Sequence, residues 1–218
     1  MDNLQAAVAA LKFGGPAVYP LLFLAVLATV IIIDKAYVYL KYVRLPADVL
    51  ALVETYDFAW DQLAAKIATL SERNTFRRFF AVILENHDKP AWWVESRAGD
   101  EAQMIEKSLA RGAWILETIV TAAPLLGLLG TIAGMMTAFK LIGGDRLVDP
   151  IGVTGGVAEA LIATALGLFI ALICLFAFNF FSRMQAQTLD DMERLGTRLI
   201  DHIRLDQQGQ PGQPGSAS

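Results

Sequence analysis

Four polar side chains stand where this 218-residue chain is otherwise apolar. Glu117 lies just before one long apolar run and Glu159 just before another, while Thr131 and Thr164 lie inside them. Charged groups in or beside a membrane are costly and are functional candidates by default. At about 100° per residue, Glu117, Thr121, Pro124, Thr131 and Met135 share one face of a helix, a stripe suited to lining an interior. At about 1.5 Å per residue, Thr131 is about 12 Å from the far end of its helix, and Thr164 is about 8 Å below Glu159. The two hydroxyls can therefore share a depth on antiparallel helices. Glu159 and Thr164 are about 140° apart, so they face one axis only if their helix is tilted or irregular. Blander roles stay open. A threonine in a membrane helix can simply bond its own i−4 carbonyl. Glu159 can be a wetted interfacial residue, and Glu117 can pair with Arg111 or Lys107. Taken alone, these residues support a helical membrane assembly with a polar interior.

Other chemistries find little footing. No Ser/His, Cys/His or metal-ligand constellation is present, so neither an enzyme nor a metal or cofactor site is expected. The histidines are His87 and His202, far apart in sequence, and the single cysteine, Cys174, sits in an apolar run and reads as a packing residue. Net charge is −4, with no basic footprint for nucleic acid. Hydrophobic residues make up 55 % of the chain and charged residues 18 %, and mean hydropathy is +0.46. A soluble domain has about 45–50 % apolar and about 25 % charged residues, so the balance favours a membrane protein.

Three runs have the length a bilayer demands, about 20 apolar residues. They are Phe13–Ile33, Thr118–Phe139 and Ala160–Ser182, and lipid obliges each to be helical. The first is too long for a signal peptide, lacks a basic leader and has no A-x-A site before Asp34-Lys35, so a retained helix is expected. Small residues form packing seams. Gly127, Gly130 and Gly134 lie on a face adjoining the polar stripe, and Ala163, Gly167 and Ala171 repeat along the third run. Basic residues set the orientation. The 34–111 segment and the region from Arg183 onward carry 11 and 4 of them, against 3 on the other side: Lys12, Lys140 and Arg146. The N-terminus is expected outside and the C-terminus in the cytoplasm.

The expected plan is an all-α membrane protein with three transmembrane helices and long cytoplasmic helical extensions. Residues 1–12 form an amphipathic helix on the outer surface, 13–33 the first span, and 34–111 a cytoplasmic helical domain. Residues 112–139 form the second span, 140–158 an outer loop and 159–182 the third span. Residues 183–206 form a cytoplasmic helix and 207–218 a disordered tail. Within 34–111, Pro46 is expected to open a helix over Ala47–Leu70 and Ser71 to cap the next. Trp60, Trp92 and Trp93 are expected to pack between helices, and Asn179 to make an interhelical hydrogen bond.

The stretch Ala123-Pro-Leu-Leu-Gly-Leu-Leu-Gly-Thr-Ile-Ala-Gly134 resembles the second-span signature of the ExbB/TolQ/MotA proton-channel family. Gly156-Val-Ala-Glu-Ala-Leu-Ile-Ala-Thr-Ala-Leu-Gly167 resembles its third-span signature, and Gly15-Pro-Ala-Val-Tyr-Pro20 the start of the first span in ExbB proteins. The resemblance covers roughly residues 14–205. It implies a homopentamer in the inner membrane of a Gram-negative bacterium. The second and third helices would line a pore holding ExbD-like single-span partners. The partner's membrane aspartate would carry the proton, facing Thr131 and Thr164, with Glu159 nearby. Proton flow would turn the partner and deliver work through a TonB-like protein to outer-membrane uptake of siderophores and similar cargo. The membrane field contributes about 2.3 kcal/mol per charge per 100 mV. Glu117 falls where other members often have a small residue, which leaves it as an exit-side proton acceptor or an ion-pair partner. A TolQ-like role in envelope constriction is the nearest rival. A flagellar stator would have four spans, a transporter would show inverted repeats, and a passive scaffold would tolerate loss of Thr131, Thr164 or Glu159.

Overall fold

Apolar side chains that outnumber what a core can hold must face either lipid or another chain. The computed structural model describes residues 15–55, 58–140 and 150–209, and among these every regular element is a helix. The helices of the described residues are, in order, α1 (Val18–Tyr42), α2 (Ala47–Glu54), α3 (Trp60–Ala68), α4 (Thr75–Glu85), α5 (Ala91–Ala110), α6 (Ala113–Lys140) and α7 (Pro150–Gly209). Three helical stretches are long and apolar enough to cross a membrane: Val18–Tyr42, Ala91–Lys140 and Ile151–Gln208. The chain divides into two units, Met1–Asp34 with Gly112–Ser182, and Lys35–Arg111 with Arg183–Ser218.

The first unit buries many small residues and leaves many large apolar ones outside. Its buried positions include Leu21, Ala28, Ala123, Gly127, Gly130, Gly134, Ala160, Ala163 and Ala171. Phe23, Val30, Leu125, Ile132, Phe169 and Phe176 are exposed. Water would penalise this arrangement, whereas a bilayer does not, because lipid tails are as apolar as leucine. Helix α1 begins at Val18, later than the apolar run, because Gly15 takes φ +65° and turns the chain; the Val18 N–H donates to Gly15 O at 3.2 Å. Helix α7 begins at Pro150, where the sequence suggested a loop reaching 158. Proline suits the first helical position, and Gly155 and Gly156 are carried inside the helix despite their low propensity. The expected helix over residues 1–12 lies outside the described residues.

The second unit has an ordinary core. Val53, Leu63, Phe80, Ile83, Val94, Ile105, Leu195, Leu199 and Ile203 are all buried. The expected helix over Ala47–Leu70 is in fact two helices, α2 and α3, because Thr55 turns extended (ψ 142°) and ends the first. Ser71 is not the cap of the next helix. Asn74 is: its Oδ1 accepts from the backbone of Phe76 (2.9 Å) and Arg77 (3.1 Å), and its Nδ2 donates to Arg44 O. Capping there places Phe76, Phe79, Phe80 and Ile83 on the buried face of α4. Lys35 is buried, and its ammonium donates to Leu109 O at the C-terminal end of α5, where a cation suits the helix dipole.

The aromatic residues divide. Trp60 Nε1 donates to Asp206 at 2.8 Å, and Trp93 lies under Arg97. Trp92 is 70 % exposed rather than packed. His202 stacks on Phe58 at 4.4 Å, and His87 lies against Trp60. The expected disordered tail begins too early. Gln207 is helical and donates to Lys89 O at 2.8 Å, which holds the end of α7 to the start of α5; residues 210–218 lie outside the described residues.

Candidate functional site

Helices α6 and α7 meet along a seam of small residues, and the contacts at their glycines fix the register. A Cβ built at Gly167 would lie 2.5 Å from Ala123 O. One at Gly127 would lie 3.0 Å from Thr164 Cα and from Ala163 O, one at Gly130 2.7 Å from Ala163 Cβ, and one at Gly134 3.1 Å from Ala160 Cβ. These pairs run antiparallel, and only glycine allows such close backbone approach. Ala163 and Ala171 are buried in the same unit.

This register decides which polar groups meet. Thr164 lies opposite Gly127, and its hydroxyl donates to Gly127 O across the seam at 3.1 Å. Other membrane-run threonines bond their own helix: Thr29 to Ala25 O, Thr118 to Trp114 O, Thr121 to Thr118 O and Thr137 to Ala133 O. Thr131 does the same, donating to Leu128 O at 2.6 Å. Thr131 lies one turn, about 6 Å, along α6 from Gly127. The two hydroxyls bond neighbouring carbonyls of α6, Leu128 O and Gly127 O. They are also linked through one of these: in a regular helix Gly127 O receives the Thr131 N–H, and its two lone pairs serve both. Pro124 adds a second irregularity, because it leaves Val120 O without its helical donor.

The carboxylates go elsewhere. Glu159 does not share an axis with Thr164. It turns toward the head of α1, where its Oε1 fills the place a side chain at Gly15 would take. The 140° separation on α7 thus sends the two groups to two different neighbours. Ala17, two residues on, reaches the seam itself; a Cβ at Gly130 would meet Ala17 Cβ at 2.8 Å. The sequence offered a signal for this in the Gly15-Pro16 pair, but nothing in it tied that pair to Glu159. Glu117 is exposed and has no ion-pair partner among the described residues. Thr121 and Met135 are exposed too, and Pro124 and Thr131 half-buried, so the stripe of α6 is largely uncovered in the single chain. Asn179 is exposed and makes no hydrogen bond among the described residues. These residues hold no group of three or more metal-binding side chains.

In chemical terms the site is a close-packed helix seam with one hydroxyl bonded across it and a carboxylate at one end. Residues 71–194 match the MotA/TolQ/ExbB proton channel family, a range that takes in α4, α5, α6, most of α7 and both polar motifs. The biopolymer transport protein ExbB-like 3 of Synechocystis sp. is 34 % identical over 175 residues, 77 % of this chain and 81 % of that one. ExbB-like 1 of the same organism is 30 % identical over 85 % of this chain and 74 % of its own length. The biopolymer transport protein ExbB of Xanthomonas campestris is 40 % identical over a shorter 93 residues, 43 % of this chain and 37 % of its own. With the family match spanning more than half its length and a relative 34 % identical over 81 % of that relative's length, this membrane chain belongs to the MotA/TolQ/ExbB proton channel family.

Proposed function

We propose that this chain is the ExbB-like subunit of an inner-membrane motor driven by the proton motive force. It works as a homopentamer around ExbD-like single-span partners, with a TonB-like protein carrying the work to outer-membrane uptake of siderophores and similar cargo. Its N-terminus is periplasmic and its C-terminus cytoplasmic. Residues 13–33, 112–139 and 159–182 form the three spans, and 34–111 and 183–206 the cytoplasmic helical part. The observation that supports this reading most is the hydrogen bond from Thr164 to Gly127 O, which sets this hydroxyl apart from the threonines that bond their own helix.

The chemistry follows from what a hydroxyl can still do. Each has one hydrogen, and Thr131 and Thr164 have spent theirs on Leu128 O and Gly127 O. What remains on each oxygen is lone pairs, so both can only accept. A path lined by acceptors holds a protonated carboxylic acid well and a carboxylate badly. The partner's aspartate is therefore kept neutral as it passes, which lowers the cost of bringing a carboxyl into a low-dielectric place. Glu159, at the outer edge, passes its proton to the partner's aspartate and takes another from the outer side. Glu117, at the cytoplasmic edge, either accepts the proton from the aspartate and releases it to the cytoplasm or serves only as an ion-pair partner.

The test is growth on a scarce iron–siderophore source in a strain lacking its own ExbB gene, carrying this chain with an ExbD-like partner. The intact chain should restore growth. Thr164→Val keeps the shape and removes the acceptor, and should cut siderophore uptake roughly tenfold, the worth of one hydrogen bond of about 1.4 kcal/mol. Rescue by both chains would remove Thr164 from the mechanism. Failure of both, with the complex assembled, would favour the TolQ-like role.

A further inference from the structure

Gly15 has two separate reasons to be glycine. Its φ of +65° is one that side chains rarely adopt. Its missing side chain is also the space in which the Glu159 carboxylate sits. A Cβ there would overlap Oε1 and Cδ of Glu159 and lie 2.9 Å from its Cγ. The turn that carries Gly15 is held in place. Pro16 fixes the next φ, Ala17 touches Gly130 on α6, and Val18 and Leu21 are buried. Neither the turn nor the carboxylate can make room cheaply by moving the backbone. Among the described residues no side chain bonds or pairs with Glu159, so the bare Gly15 turn is what leaves its carboxylate room to point there.

We propose that Gly15 is a positioning residue for Glu159: the turn Gly15-Pro16-Ala17 is a seat that holds this carboxylate at the mouth of the α6–α7 seam. The proposal rests on the reading of Glu159 as a proton-pathway group and adds what aims it. Any side chain at position 15 would expel the carboxylate into another rotamer and change the surroundings in which it binds and releases a proton.

A second glycine supplies the control. Gly112 also has a positive φ, +83°, yet a Cβ built there meets nothing within 4 Å. Gly112→Ala therefore carries the backbone strain alone, and Gly15→Ala carries the strain and the collision. Glu159→Asp withdraws the carboxylate by one methylene and frees the space.

The experiment follows uptake of a radiolabelled ferric siderophore against medium pH in the complementing strain described above. Melting of the purified full-length variants is measured alongside. Gly15→Ala should lower uptake about tenfold and move its pH profile, whereas Gly112→Ala should leave the profile in place. Glu159→Asp should restore Gly15→Ala by several-fold, because substitutions at contacting residues are coupled. The same pair should be coupled in melting temperature. Additive effects in both readouts, or an unmoved pH profile in Gly15→Ala, would overturn the seat. Glu159→Gln separates the two ideas. If it abolishes uptake while Gly15→Ala leaves the profile unmoved, only the positioning role is lost. If Glu159→Gln takes up siderophore normally, Glu159 carries no proton and the positioning role falls with the pathway reading.

Discussion

The two units of this chain solve opposite packing problems with the same secondary structure. In the unit of Lys35–Arg111 and Arg183–Ser218, large side chains such as Phe80, Leu199 and Ile203 are buried, and charges lie outside in pairs such as Arg78–Glu101 and Arg204–Glu95. In the unit of Met1–Asp34 and Gly112–Ser182, glycine and alanine make up much of the buried face, while Phe23, Phe169, Phe176 and Phe180 are outside and Phe181 is buried. The first is arranged for water, where burying a large apolar surface drives folding. The second is arranged for lipid, where that drive is absent and close contact between backbones takes its place. A large exposed side chain is therefore ordinary in the second arrangement and costly in the first.

That contrast can be broken most directly with phenylalanine. Phe80→Ala should destabilise by about 3–5 kcal/mol, the usual cost of emptying a core aromatic site. Phe176, 68 % exposed on α7, should tolerate alanine with little loss in detergent melts of the isolated chain. A large cost at Phe176 would mean that protein, not lipid, covers that face, and would map a contact between copies.

Glycine sharpens the comparison with a smaller effect. Gly167→Ala puts a methyl against Ala123 O and Gly127 Cα, backbone that cannot step aside without parting the helices. Overpacking of this kind costs about 1–3 kcal/mol. Gly99, in the middle of α5, has open space where its Cβ would be. Gly99→Ala should stabilise, by up to about 1 kcal/mol, because it only removes freedom from the unfolded chain. Thermal melts of the two variants should shift in opposite directions. A shared direction would mean that the seam is looser than its contacts imply.

How far this could be read in advance differs between the units for the same physical reason. The all-helical class and the three span-length helices are visible in composition and run length alone, since lipid permits few alternatives. The small residues of the seam repeat at helical spacing, and they sit where α6 and α7 touch. The helix break after Glu54 left no trace, because residues 47–70 contain neither glycine nor proline to mark it. Choosing Asn74 over Ser71 as a cap depends on which start turns four apolar residues of α4 inward, a tertiary matter. Trp92 and Asn179 were assigned partners by residue type, yet each faces outward from its helix. The contact of Glu159 with Gly15 was the least legible. It joins residues 144 positions apart, and one of them announces itself only by lacking a side chain.

The smallest contrast concerns hydrogen bonds. Asn74 is buried, and its side chain accepts two backbone N–H groups and donates to Arg44 O, so it joins the start of α4 to the segment after α1. Asn74→Ala should cost about 1–2 kcal/mol, the upper range for a cap, since it also strands buried donors. Thr29 on α1 makes a bond of similar length, 2.7 Å to Ala25 O, but that carbonyl already has its helical partner and the residue is exposed. Thr29→Ala should change stability by less than about 0.5 kcal/mol, since it strands nothing. Chemical denaturation in mild detergent measures both. If Thr29 proved the costlier, its hydroxyl would be reaching something beyond its own helix, and the face of α1 that carries it would have to be counted among the surfaces covered by protein.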